Sequence, residues 1–509
     1  MRLGHEEWTL DHLVQAAAGK LRVDASSPDL QARLELGASA LRRRWDETGV
    51  IYGVTTGYGD SCSVGIPAYL VAELPAHLVT FHGCGLGEPF SREETRAILA
   101  ARLASLCRGW SAVRPELVSL LAELINRDIL PRIPREGSVG ASGDLTPLSY
   151  VAAVLCGRRQ VWTADGSGFE PASDALARAG LSPLVLQPKE GLALMNGTSV
   201  MTALASLALR RAEAICGAAC AATALAIEAI RGNPGHHSER LMSAKPHPGL
   251  ARAAGAIRTH LGSALVCGEN RLQDRYSLRC APHVVGVLLD ALPHLESMLV
   301  IELNSANDNP LIDPDGGQLL HGGHFYGGHV AYVADSLKAQ LAGIADLLDR
   351  QMALLTDRHA SHGLPANLSG AEGERAPINH GLKAVSIATT AWCAEAARLT
   401  LPASILSRST ECHNQDKVSM GTIAARDALR IAELCSQNAA ACLLAAAQGV
   451  EIRQRRGQLA PGALSERGQA AFAAVRRHAA FLGEDRELED ELRSLSRAVL
   501  AGQWPLEPQ

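Results

Sequence analysis

A mainly α-helical protein, one long helical assembly carrying a head domain, is what this sequence predicts. Three observations carry the prediction. Ala and Leu abound while aromatic residues make up only 4% of the 509 positions. Apolar residues recur at helical period over segments far longer than strands. The 47% hydrophobic content permits a large core, as helix bundles require. The elements divide the chain into an N-terminal head domain, residues 1–200, and a long helical bundle with C-terminal helices, residues 201–509.

In order along the chain, the first 200 residues alternate helical patterns with Gly-rich loops at 52–65 and 82–89. Thr146-Pro147 reads as the N-cap and first position of a helix over 148–156. Residues 199–232 form a long Ala/Leu-rich helix, closed by Asn233-Pro234-Gly235. A helix over 285–303, kinked at Pro293, precedes a loop at 304–317, and 329–357 and 417–454 are bundle-length helices. The stretch 435–450 is apolar nearly all round, which places it at a bundle centre or between subunits and predicts a homo-oligomer. Beyond Gly457 the helices are charged and less diagnostic, and no internal repeat is visible.

A formal net charge of -5, a pI near 6.4 and no basic cluster argue against nucleic acid as a partner. No uninterrupted apolar run reaches the length of a membrane span, so no membrane partner is expected. Twelve cysteines are scattered without paired spacing, and residues 1–19 lack a secretory apolar core, which predicts reduced thiols and a cytoplasmic protein. Cys216 and Cys220 lie one helical turn apart but no further ligand completes a set, so core packing is expected and metal is not.

The chemistry points to 140–148, Gly-Ala-Ser-Gly-Asp-Leu-Thr-Pro-Leu. Gly137, Gly140 and Gly143 permit a tight backbone, and a helix N-terminus nearby favours an anionic oxygen or a bound carboxylate. This segment resembles the signature of the histidine and aromatic amino-acid ammonia-lyases and aminomutases, most closely their tyrosine/phenylalanine branch. The resemblance implies that Ala141, Ser142 and Gly143 cyclise autocatalytically. The Gly nitrogen attacks the Ala carbonyl and two waters leave, giving a methylidene-imidazolone (MIO), with no metal or diffusible cofactor. Ordinary side chains offer almost no electrophiles, and this group supplies one.

Further stretches resemble the same family and extend the match to about Met420. In 52–59, Tyr-Gly-Val-Thr-Thr-Gly-Tyr-Gly, Tyr52 matches the catalytic base; alone it reads as a structural tyrosine in a Gly-rich loop. A phenol of pKa about 10 is only about 0.1% ionised at neutral pH, so neighbouring dipoles or cations must stabilise its phenolate. Asn196 falls where the family binds the substrate near its amino-acid head. Gln273, Tyr276 and Arg279 recur at three-residue spacing, one face of a helical turn. Arg279 would clamp the substrate carboxylate, with Tyr276 and Gln273 around the reacting carbon. Phe325 matches a residue beside the MIO, while His324 stands where an Asn is expected, leaving its role open. Gln415 occupies the position histidine ammonia-lyases fill with Glu.

Substrate choice rests on Phe81-His82 and Gln415. His82 matches the histidine branch and Phe81 the phenylalanine branch. A neutral Gln415 cannot pair with imidazolium, so the expectation is L-tyrosine or L-dopa over L-phenylalanine, with L-histidine the alternative. The expected reaction is non-oxidative elimination to a trans-arylacrylate such as coumarate or caffeate. Its rivals are urocanate formation from histidine, a tyrosine 2,3-aminomutase and a non-catalytic helical scaffold. The resemblance implies a fumarase/aspartase-like homotetramer whose sites combine several subunits.

Overall fold

Residues 1–262, 272–460 and 462–507 are described by a computed structural model. The chain is mainly helical, as its composition predicts. Among the described residues, strands occur as three antiparallel pairs: Leu86–Pro89 with Pro134–Glu136, Gln160–Trp162 with Phe169–Pro171, and Leu311–Ile312 with Leu319–Leu320.

The chain forms two compact units. The first comprises Met1–Leu207, Glu296–Asp335 and Pro402–Arg426; the second comprises Ala208–Leu295, Ser336–Leu401 and Asp427–Gln509. Two segments that follow residue 200 therefore pack with the N-terminal part, and both carry residues of the candidate site.

In the first unit, local signals set the helices. Ser91 and Glu94 form a reciprocal capping box that starts Arg92–Leu106. This helix is almost wholly buried, and the guanidinium of Arg102 within it donates to the Asn196 carbonyl (2.9 Å) and to Ser105 Oγ (2.9 Å). A second buried charge, Lys189, pairs with the equally buried Asp308 and donates to the Ser111 carbonyl at 3.2 Å. These contacts tie 189–197 to distant parts of the chain.

The bundle-length helices are present as Ser199–Ile230, Ala281–Leu303 with Pro293 inside it, Gly328–Thr356 and Gly421–Arg455. The last begins at Gly421, not at 417, because Val418–Met420 is drawn into contacts with 139–140 and with Ser407, and Met420 has a left-handed φ of 59°. The shorter helix begins at Leu145 with Asp144 at its N-cap, two residues earlier than Thr146-Pro147 suggested.

Ser199–Ile230 and residues 276–303 are long and apolar enough to cross a membrane by length and composition; 89% of the most apolar stretch of Ser199–Ile230 is buried inside the protein, as in a core helix. In the second unit, Cys220 is buried, as core packing predicts, and burial pushes its thiol up to about 12. There too, Arg453 is buried and donates to the carbonyls of Ala229, Ser361 and His362, satisfying loop and helix ends that meet at the bundle.

Candidate functional site

A cavity of about 950 Å³ opens in the first unit, and its wall includes Tyr52, Phe81, His82, Ala141, Ser142, Asn196, Phe325 and Gln415. Residues separated by more than 350 positions thus meet at one place. Gly143 lies immediately behind this wall, buried.

The tripeptide 141–143 is held by backbone on both flanks. Gly197 N donates to the Ser142 carbonyl (3.1 Å), and Asp144 N donates to the Gly197 carbonyl (2.7 Å). Gly143 has φ 71°, and a Cβ there would strike the Gly197 carbonyl, so only glycine fits. Gln415 Nε2 donates to Ser142 Oγ at 3.2 Å, while its Oε1 accepts from Thr410 Oγ1 at 2.8 Å. This tight, glycine-only backbone with its serine hydroxyl in a cavity wall fits the precursor of a cyclised group.

Asp144 is fully buried. Its carboxylate accepts from Val200 N and Met201 N, both at 2.9 Å, and from Thr422 Oγ1. It therefore serves the N-terminus of Ser199–Ile230, where a negative group is favoured. Burial, the largest influence, pushes its acid up to about 6 against those donors.

Tyr52 Oη accepts from Gly59 N at 2.9 Å. That bond favours phenolate, but burial, the largest influence, together with the nearby Glu411 carboxylate, outweighs it and holds the phenol above its ordinary value of 10.0. The Gly59 N–H dipole thus stabilises the phenolate without overcoming burial. Burial also raises the neighbouring phenol of Tyr58.

At the other wall, His82 Nδ1 lies 3.1 Å from the Leu78 carbonyl, which accepts only if Nδ1 carries the proton. Nε2 then carries a lone pair, an acceptor on a residue of the cavity wall. Burial lowers the imidazole pKa and favours this neutral form. The Phe81 and His82 ring centroids are 4.3 Å apart. Asn196 is 4% exposed, and its Oδ1 is a buried acceptor with no partner among the described residues.

Sequence reasoning missed Glu411, whose carboxylate lies in the cavity wall. It accepts from Asp60 N (2.8 Å) and Asn414 Nδ2 (2.7 Å), joining the loop after Tyr52 to the turn bearing Gln415. A lone acid in a turn has no periodic signal; its nearness to His413-Asn414-Gln415-Asp416 was the available clue. His321 was also missed, its ring meeting Tyr52 edge-on at 6.5 Å.

Gln273, Tyr276 and Arg279 belong to the second unit and are not among the cavity-lining residues. The helical turn is Tyr276–Arg279; Gln273 lies before it in a bend, so the shared face extends only to Tyr276 and Arg279. The Arg279 guanidinium stacks 4.6 Å over the Tyr276 ring, and Tyr276 is 72% exposed. His324 is exposed and does not line the cavity.

Known proteins resemble this chain over most of its length. The family model described as aromatic amino acid lyase matches residues 8–477. A histidine ammonia-lyase of Paracidovorax citrulli is 39% identical over 505 residues, 98% of this chain and 95% of that protein. One from Aromatoleum aromaticum is 41% identical over 457 residues, 89% of this chain and 84% of that protein. Among solved structures, a tyrosine aminomutase from Streptomyces globisporus superposes with a TM-score of 0.91 at 36% identity, covering 99% of this chain and 97% of that one. A histidine ammonia-lyase from Trypanosoma cruzi gives 0.89 at 30%, covering 100% and 96%.

Proposed function

Because this chain belongs to the aromatic amino acid lyase family, we propose that it is a carbon–nitrogen lyase that eliminates ammonia from L-histidine to give trans-urocanate. The histidine ammonia-lyase relatives favour this alternative over the tyrosine or dopa preference read from the sequence. One observation carries the reading. Tyr52, Ser142, His82 and Asn196 line one cavity together with the carboxylate of Glu411. The argument against histidine rested on the neutral Gln415, and Glu411 supplies a carboxylate nearby that can pair with imidazolium.

The chain's residues divide the work. Asn196 Oδ1, buried and unpartnered, accepts a hydrogen bond from the substrate's amino group. His82 Nε2 accepts from the ring N–H, a contact that an apolar ring lacks. Tyr52 Oη takes the β-proton as the C–N bond breaks, oriented by the Gly59 N–H. Ala141, Ser142 and Gly143 would hold the MIO, which when formed supplies an electrophile that turns the amino group into a leaving group. Gln415 donates to the Ser142 hydroxyl, the group whose loss as water the cyclisation requires.

We further propose a homotetramer in which Gln273, Tyr276 and Arg279 reach the cavity of a partner subunit. Support comes from exposed apolar side chains in the same segment, Leu272 at 92% and Tyr276 at 72%. A solution mass of four chains, and recovered activity when Tyr52→Phe and Arg279→Met subunits are co-expressed, are the expected results. A monomeric mass with full activity would refute this arrangement.

The test of function is ultraviolet detection of product from purified protein given L-histidine, L-tyrosine and L-phenylalanine, with ammonia assayed in parallel. Urocanate from histidine is expected. A second reading, action on L-tyrosine by elimination or by a 2,3-amino shift, is favoured by Gln415 and by the tyrosine aminomutase structure. Coumarate or β-tyrosine without urocanate would establish it instead.

A further inference from the structure

Arg159 sits behind the cavity wall with its backbone in the left-handed region, φ 66°. That conformation suits glycine and disfavours a residue with a Cβ, so an arginine there calls for a reason in its side chain. The guanidinium faces the segment that carries Phe81 and His82. This segment ends the helix Leu74–Phe81, where carbonyls run out of intrahelical partners. Arg159 Nη2 donates to the Val79 carbonyl at 3.1 Å, and Nη1 reaches Ser149 Oγ at 3.4 Å. The Ser149 hydroxyl is in turn shared between the carbonyls of Thr146 (2.7 Å) and His82 (3.2 Å).

The same guanidinium lies 4.0 Å over the ring of Tyr150, whose hydroxyl reaches the Gly85 carbonyl at 3.4 Å. A side chain on Gly83 would strike Arg159 Nη2. Next to it, Arg158 Nη1 donates to Thr80 Oγ1 at 3.2 Å. One planar cation thus touches the segment directly at Val79 and against Gly83, and acts through Ser149 and Tyr150 on the carbonyls of His82 and Gly85. A cation at a helix C-terminus is also favourably placed in the helix field.

We propose that Arg159 is a positioning residue for substrate choice. From outside the cavity it fixes the 79–85 segment, and with it the depth and direction of the His82 ring. The proposal rests on the reading that His82 Nε2 recognises the substrate ring. A lysine keeps the charge but offers neither the fork to Val79 and Ser149 nor the flat stack on Tyr150. A glycine removes the side chain while relieving the backbone, so the fold is retained.

The test compares kcat/KM for L-histidine and L-phenylalanine in the wild type, Arg159→Gly, Arg159→Lys, His82→Leu and Arg159→Gly/His82→Leu, with inhibition by urocanate against cinnamate as a ratio independent of turnover. Arg159→Gly is expected to lower the preference for the imidazole ring about tenfold through KM and Ki, with kcat within about twofold. Arg159→Lys is expected to fall between it and the wild type. In the His82→Leu background the same change is expected to move the ratio less than about twofold, because no ring nitrogen is left to misplace. An unchanged ratio in Arg159→Gly beside a shifted His82→Leu overturns the proposal alone, as does an effect undiminished by His82→Leu. An unchanged ratio in His82→Leu itself overturns the reading of His82 and the proposal with it.

Discussion

The turn 410–420 and the helix Gly421–Arg455 are separated by one peptide bond and are built by opposite means. In the turn, Glu411, Cys412 and His413 follow one another with φ of 52°, 53° and 66°, and Met420 closes it at 59°. Each such residue costs about 1–2 kcal/mol of backbone preference. Specific partners hold it: Gln415 N with the Thr410 carbonyl, Asp60 N with Glu411, Val418 N with Ser407, and Ser419 with the Gly140 carbonyl. The helix needs none of these. Its Ala-rich middle, 439–447, is buried throughout and regular, and its stability is spread over many equivalent contacts. Strain gathers where side chains must be delivered to the cavity, and regular structure supplies the frame.

The comparison breaks first at the chemistry. Tyr52→Phe removes the proposed base and leaves its ring, so kcat is expected to fall by about 10³-fold or more while the ultraviolet signature of a cyclised 141–143 persists. Retained turnover would remove Tyr52 from the mechanism. The frame of the site is tested next by Lys189→Met. This strands the buried Asp308 carboxylate, for an expected loss of about 3–5 kcal/mol in denaturant unfolding. A loss within about 0.5 kcal/mol would mean that the pair is not stabilising the loop at all.

The helix was legible and the turn was not, for a physical reason. Periodicity reports burial of one face of a regular element, so Ser199–Ile230 and Gly421–Arg455 could be read to within a few residues. The site is assembled by contacts between residues such as Gln415 and Ser142, or Asp144 and Thr422, which no local pattern announces. Motif resemblance found Tyr52 and Ser142 because their neighbours match as strings. It passed over Glu411, whose importance is a matter of where three left-handed residues point it. Likewise the spacing of Gln273, Tyr276 and Arg279 suggested one helical face, but the turn starts at Tyr276 and leaves Gln273 outside. Thr146 looked like an N-cap, yet the chain turns at Asp144, whose carboxylate is committed to the next long helix.

A smaller effect separates the frame from the chemistry. Ala440→Gly, in the buried middle of the helix, combines the backbone cost of glycine with a lost methyl, about 1–2 kcal/mol. The expected outcome is a lowered Tm with kcat and substrate preference unchanged. A shift in preference from this position would show that the bundle does more than carry the site.

The finest test is Glu411→Gln, because it removes a charge from the turn while keeping its shape. Gln still accepts from Asp60 N, and Asn414 can rotate its amide to meet the new donor, so the three left-handed residues keep their partners. What changes is the field at Tyr52. Glu411 is among the groups that raise the Tyr52 phenol, so its loss lowers that pKa and enlarges the phenolate fraction at neutral pH. The limb on which kcat/KM rises with pH as Tyr52 ionises is therefore expected to move toward lower pH, by less than about one unit. On the acid side, His82 loses its acceptor when protonated. Since burial holds its pKa below 6.5, KM for a ring N–H substrate is expected to rise only under more acidic conditions, in wild type and variant alike. If Glu411 pairs with imidazolium, KM for L-histidine also rises in the variant across neutral pH. A limb and a KM for L-histidine that both stay in place while Tm falls would make Glu411 a strut of the turn, and the carboxylate argument for histidine would then lose its support.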